Sequence, residues 1–355
     1  MAIEKIDIAI IGAGLSGLSL AYFLKDTDIM IKVIEARGRI GGRIQTLYGD
    51  GTAPLEMGAT WLGRKHTSLV ELLTELGLKT FRQEMGATAV YEPISTSPHQ
   101  IVSLPPNNDP SFRIVGGTSR LISALAEHLE PDTIVLNQQV SSIRSEQNTL
   151  AVATSDHQYL ASKVISTLPP NLLASSISIS PPLLHELNVL MASTHTWMGE
   201  SIKVALNYKN PFWREGNMSG TIVSNVGPIP EMYDHSNYED TLYALKGFLN
   251  GTYFSLTKEE RLQMILGQLS KYYGPVVHDF VNYQETVWRN EHYTFAEYDA
   301  HVLPHQNNGH SLYHKSYLDG RLYIGGAETA ESFPGYMDGA VVCARRIAKE
   351  LVDNI

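Results

Sequence analysis

A single cysteine, Cys343, stands in 355 residues, so no disulfide can close within the chain and a reducing compartment is expected. Charge is also sparse, at 18% of residues, and no run of Lys or Arg occurs. With a formal net charge of −10, the chain is not expected to bind nucleic acid, and the acidic balance favours approach of cationic small molecules. An apolar run of the roughly 18 residues that a membrane-crossing helix requires is absent, so no membrane association is expected. Glu4 and Asp7 fall where a signal peptide would be basic and then apolar, which makes a cytoplasmic location the expectation. Neither an internal repeat nor a low-complexity tract is present. What remains is a composition, 43% hydrophobic, typical of a globular protein large enough for two domains.

The informative stretch lies at the start. Ile6 to Ile11 reads as a short buried strand, cut off by Gly12-Ala13-Gly14-Leu15-Ser16-Gly17 and a helical segment to Lys25. In a G-x-G-x-x-G turn the first glycine allows the tight turn and the second lets the backbone approach a pyrophosphate. The third lets helix and strand pack closely, leaving the phosphates at the helix N-terminus. A second apolar run, Ile29 to Ile34, ends in Glu35, close to the spacing of about 20 residues expected for a carboxylate that accepts from ribose hydroxyls. An acid there suits a free 2′-hydroxyl, so FAD or NAD is expected rather than NADP. Arg37, Arg39, Gly41, Gly42 and Arg43 follow on a basic, glycine-rich loop within reach of cofactor phosphates.

Further along, periodicity predicts helices over Ser68 to Leu76, Ser119 to Leu129, Pro182 to Met191, Lys258 to Tyr272 and Gly339 to Val352. Residues 84–112 are rich in Pro, Ser and Asn and read as short strands and loops. Strand-like runs at Ile202 to Tyr208, Gly220 to Val226 and Thr241 to Leu249 suggest a second domain built on an antiparallel sheet. His301, His305, His310 and His314 recur at spacings of four and five. Pro304 and Asn307-Asn308-Gly309 break any helix that would align them, so no metal site is expected.

Taken together, these blocks resemble the flavin-containing amine oxidases. The resemblance runs through Gly12-x-Gly14-x-x-Gly17, Glu35-Ala36-Arg37, Gly41-Gly42-Arg43, Leu55 to Trp61 and Gly116-Gly117-Thr118. It continues through Ser201-Ile202-Lys203-Val204, Tyr208 to Trp213, Gly325 to Ala330 and Gly335 to Ala340. It implies an α/β fold: a Rossmann-like FAD-binding domain of the glutathione-reductase type (1–83, 113–183 and 286–355) with a discontinuous α+β, sheet-based substrate domain (84–112 and 184–285). Gly12, Gly14, Ser16, Gly17, Glu35, Arg37, Gly41, Gly42, Arg43, Gly58, Ala59, Thr60, Val140, Trp288, Glu328 and Met337 are then expected to contact FAD.

Lys203 corresponds to the lysine that holds a water near flavin N5, and Tyr336 to one wall of an aromatic cage. Counting on from Trp288 without a gap puts Tyr298 at the second wall, with Tyr293 the candidate in another register. The implied reaction moves a hydride from the carbon bearing the amine to flavin N5. The imine hydrolyses to an aldehyde or ketone, and O2 reoxidises the flavin with release of hydrogen peroxide. The expected partners are a small-molecule amine and O2.

Three departures from the family pattern shape the expectation. Glu297 occupies the flavin-linking cysteine position, so FAD should be held non-covalently. The long helical insertion usual between the Gly58 and Gly116 blocks is reduced to residues 84–112, leaving a more open site or one closed by a second subunit of a homo-oligomer. No C-terminal membrane tail follows. Alternatives are an L-amino-acid oxidase on the same fold, for which Arg64 is the available cation, or a flavin-binding oxidoreductase acting on a bulky, carrier-bound or protein-bound substrate.

Overall fold

The computed structural model describes residues 2–353. Its central strand, Ala2–Ile11, runs parallel to Ile31–Ile34 on one side and to the long strand His157–Ser166 on the other. Its apolar run is nearly continuous because both faces are covered. Ile8 and Ile10 pack under the helices Leu15–Phe23 and Met337–Asp353. Ala9 and Ile11 face a second core, shared with the hairpin Ser142–Glu146/Thr149–Ala153 and the helix His185–Ala192. Ile134–Val135 and Leu322–Ile324 add parallel strands, and the whole sheet has nine strands of mixed direction.

Two close contacts, one local and one long-range, seat the helices on this sheet. Gly17 lies so close to the preceding turn that a Cβ there would stand 2.0 Å from the Gly12 carbonyl oxygen. On the closing helix, Asp338 Oδ1 accepts from the Leu69 amide at 2.8 Å, tying Met337–Asp353 to the helix Thr67–Glu75.

A second sheet of seven strands carries Ile202–Tyr208 one place in from its edge, paired antiparallel with Tyr243–Leu249 and with the edge strand Asn282–Val287. Glu231–Asp234 extends it, a strand with no expectation from periodicity. So does the hairpin Thr88–Glu92/Gln100–Ser103 from the stretch read as strands and loops. The sheet departs from pure antiparallel pairing at one place, where Thr88–Glu92 lies parallel to Ile222–Ser224. Lys258–Tyr273 covers one face, with Thr257 and Glu260 forming a reciprocal cap at its start. The helix His185–Ala192, within the span expected for the second domain, packs Leu187 and Met191 into the core of the first sheet instead. Among the described residues, no helix is long and apolar enough to cross a membrane.

Candidate active site

One cavity of about 510 Å³ extends between the two sheets. Gly12, Gly14, Leu15, Ser16, Glu35, Arg37, Gly41 and Gly42 line part of it, and Lys203, Phe248, Trp61 and Tyr336 another.

The first part is built by the opening turn. The helix Leu15–Phe23 begins at Gly14 with no side-chain cap and no acid in its first turn, so its free N–H groups and positive dipole end stand uncompensated. Glu35 is buried at the end of its strand, where Oε2 accepts from the Ala13 amide and Oε1 from the Arg37 amide, each at 2.9 Å. These two bonds fix the carboxylate against the turn while leaving further lone pairs for a ligand. A Cβ on Gly42 would come within 3.2 Å of the Gly14 Cα, so the loop can lie directly over the turn only as glycine. An uncapped helix start beside a fixed acid and two close-lying glycines fits an anionic dinucleotide.

Arg43 lies beyond this cradle and donates to both oxygens of Glu328, at 2.6 and 2.8 Å. Glu328 is fully buried and Arg43 about a quarter exposed, so the guanidinium is held by its partner at the cavity edge. Trp288 Nε1 donates to the Met57 carbonyl at 2.8 Å, standing its ring in the wall. Ala59, Thr60 and Met337 also line the cavity. Gly58 serves it through its carbonyl, which accepts from Lys203 Nζ, and a Cβ at that position would stand 2.2 Å from the Arg43 carbonyl oxygen. Val140 lies away from the wall, packed in the core under the first sheet.

Lys203 projects from Ile202–Tyr208 toward the loop that carries Gly58. Only 5% exposed, its amine is pushed by burial down to about 8, an effect opposed in part by the charge of Glu56. Its Nζ stands 5.5 Å from the centroid of Phe248, its cross-strand partner.

Tyr336 reaches the wall, but neither expected companion faces it. The Tyr298 hydroxyl accepts from the Thr196 amide at 2.8 Å, and its ring stacks against His195, outside the cavity lining. Tyr293 does line the cavity, but near Glu35, with the Arg37 guanidinium 5.5 Å from its ring centroid. Trp197 packs directly against Tyr336, with centroids 5.6 Å apart and planes 34° apart. His305 stacks on Trp197 at 4.1 Å and lies nearly parallel to Tyr336, while Phe333 and His66 complete the aromatic wall. Tyr298 had only a gapless count to recommend it. Trp197, six residues before Lys203, carried no spacing that marked it.

Asp109, Pro110 and Ser111, from the stretch that replaces the usual insertion, close one side of the mouth. Asp109 pairs with Lys65 across it at 2.7 Å, with both side chains exposed. Arg64, the candidate for an amino acid's carboxylate, instead rests over the Phe112 ring and does not line the cavity. Of the four histidines, His305 is committed to the aromatic stack. Among the described residues, no three His, Cys, Asp or Glu side chains gather as a metal site.

Comparisons with known proteins agree on one group. A family model described as flavin containing amine oxidoreductase matches residues 15–108 and 99–352. The chain is 25% identical to a probable flavin-containing monoamine oxidase A of Dictyostelium discoideum, covering 98% of each protein. It is 25% identical to human flavin-containing amine oxidase B, covering 98% of this chain and 86% of that one. The first alignment spans 457 positions against 355 residues here, so that relative carries segments this chain lacks. Among solved structures, a putrescine oxidase bound to putrescine superposes with a TM-score of 0.85 at 26% identity, covering 99% of this chain and all of that one. A cyclohexylamine oxidase from Brevibacterium oxydans shares the fold, with a TM-score of 0.85 at 20% identity and 98% of this chain covered.

Proposed function

The chain belongs to the flavin-containing amine oxidoreductases, and from that premise we propose that it oxidises small-molecule amines with a non-covalently held FAD and O2. The observation that carries this reading is a single cavity that joins a dinucleotide cradle to a buried lysine and an aromatic wall. Gly12 to Gly17, Gly41 and Gly42 would hold the pyrophosphate, Glu35 the ribose, and Arg43, Trp288 and Met337 the remainder, with Glu328 keeping Arg43 in place. When bound, the flavin supplies the acceptor for the hydride leaving the amine-bearing carbon and passes the electrons on to O2 as hydrogen peroxide. Cys343, the one cysteine, is buried in the closing helix with Sγ 3.1 Å from Thr329 Oγ1, which supports non-covalent attachment.

The chain's own residues prepare the amine. Tyr336, Trp197 and Phe248 shape a mostly apolar space that excludes water and attracts a partly cationic nitrogen with their ring faces. An amine reacts only as the free base. The apolar wall disfavours the ammonium form, and Lys203, its amine lowered to about 8, is largely protonated at neutral pH and would supply a positive charge and a proton donor beside the flavin. On this reading 1–83, 113–183 and 286–355 form the cofactor domain and 84–112 with 184–285 the substrate domain, with His185–Ala192 packed on the first.

The test is peroxide release on mixing the yellow protein with a panel of monoamines, diamines, polyamines and L-amino acids. Turnover of an amine is the expected result. A bound flavin that dithionite reduces but no amine does would sink the oxidase reading, and turnover of L-amino acids alone would redirect it to the amino-acid oxidases.

A further inference from the structure

Behind the cavity floor stands a second buried lysine that the proposed reaction does not use. In the pairing of Ile202–Tyr208 with Tyr243–Leu249, Lys203 lies opposite Phe248 and Ala205 opposite Lys246. Lys246 is therefore the diagonal neighbour of Lys203 on the same sheet face, a separation of about 7–8 Å between backbones that long side chains close. Both amines stand over the same ring, at 5.5 and 5.6 Å from the Phe248 centroid. Both also bond to one short loop: Lys203 Nζ to the Gly58 carbonyl and Lys246 Nζ to the Thr60 hydroxyl. Lys246 is fully buried, 4.2 Å from the centroid of Trp61, which separates it from the cavity.

Few anions face this pair. From the strand Leu55–Glu56 comes Glu56, whose carboxylate is already engaged by the Thr118 amide and the Thr46 hydroxyl. From Phe112–Ile114 comes Arg113, a permanent cation that donates to His235 Nδ1 at 2.9 Å and so keeps that imidazole in its neutral form. His235, pairing beside Ala244, is held low by burial and by Arg113. Tyr233, opposite Lys246 on Glu231–Asp234, stays a neutral phenol because burial pushes it up. Asp234 is occupied by Trp213 and Arg214. From Asn282–Val287, Thr286 faces Lys203 without charge. Two lysines and an arginine thus share one buried carboxylate, and a second ammonium there would go uncompensated.

We propose that the two amines hold one proton between them at neutral pH: Lys203, which reaches the cavity, keeps it and meets the substrate as a proton donor, while Lys246, sealed behind Trp61, stands as a neutral free base. The consequence for substrate rests on the amine-oxidase reading; the coupling itself does not. Burial depresses both amines, and Lys246 falls further because of the charge of Lys203. Interacting sites of this kind titrate as a unit, so Lys246 gives up its proton at the lower pH, where Lys203 still carries its own.

The experiment is a pH titration of the lysine Cε signals in flavin-bound protein carrying ε-13C-lysine, with assignments from Lys246→Met and Lys203→Met. Removing Lys246 should leave the Lys203 midpoint near 8, because Lys246 is already neutral there. Removing Lys203 should raise the Lys246 midpoint by about one pH unit or more, as two like charges on neighbouring side chains require at an effective dielectric of about 20, and this arm serves alone if Lys246→Met fails to fold. A Lys246 midpoint that stays within a few tenths of a pH unit when Lys203 is removed, or that lies above the Lys203 midpoint in the wild type, overturns the proposal. Coupled midpoints in a protein that oxidises no amine would uphold the pair while removing the oxidase reading.

Discussion

Holding Lys203 in the sheet is costly to the fold, and replacing it with methionine should stabilise the protein. Its amine is lowered from 10.5 to about 8, chiefly by burial. The sign follows from which state holds the proton. Below pH 8 both folded and unfolded chains carry the charge, so the folded state bears its full desolvation; above 10.5 neither carries it and the cost vanishes. At about 1.36 kcal/mol per pH unit, that cost is about 3 kcal/mol at pH 7. Lys203→Met also removes the hydrogen bond to the Gly58 carbonyl, worth about 1 kcal/mol, so a net gain of about 2 kcal/mol is expected. With an unfolding entropy of about 2.1 cal/mol/K per residue, this corresponds to a rise in Tm of about 3 °C. The gain should shrink by about 2 kcal/mol between pH 7 and pH 9.5. Thermal unfolding of wild type and variant at matched flavin occupancy reads both quantities. A lower Tm at pH 7, or a gain independent of pH, would refute the reasoning and mark Lys203 as an ordinary structural lysine.

Other sites respond in distinct ways. Glu328→Gln leaves the Arg43 guanidinium without its carboxylate; because Arg43 is partly exposed, the loss should sit at the low end for a broken buried pair, about 2–3 kcal/mol, with weaker flavin retention on gel filtration. Gly17→Ala drives a methyl into the Gly12 carbonyl and should yield protein with little or no flavin by absorbance; full stoichiometry would show that the turn yields. Trp197→Ala removes the ring packed against Tyr336 and should lower kcat/KM for amines by about tenfold or more, the equivalent of about 1.4 kcal/mol, while flavin content holds. Acid precipitation should leave the pellet white and the flavin in solution.

Much of the chain was legible because its signals are local. The glycine fingerprint, Glu35 and the flanking strands read as a unit, since a tight turn, a close phosphate approach and a strand end each demand a particular residue at a short spacing. Helices announced themselves by period and caps, as at Thr257 and Glu260. The strand Glu231–Asp234 did not: its burial alternates, but its two inward residues are Met232 and the charged Asp234, so no apolar alternation marks it. His185–Ala192 was recognisable as a helix but not as a neighbour of the first sheet. The pattern of Leu187 and Met191 names an apolar stripe without saying which core will receive it.

The cavity divides the same way. By itself, the sequence determined the dinucleotide cradle, the lysine strand and the wall at Tyr336, each held within a motif of a few residues. The partner of that wall was decided in three dimensions. Tyr298 turns its hydroxyl to the Thr196 amide, and Trp197 comes forward with His305 stacked behind it. Lys246 lies 43 residues from Lys203 and becomes its neighbour only through the register of two antiparallel strands. Pairing register depends on how two distant segments align, which no spacing along the chain encodes, and so the sharing of one proton between the two lysines belongs to the tertiary structure.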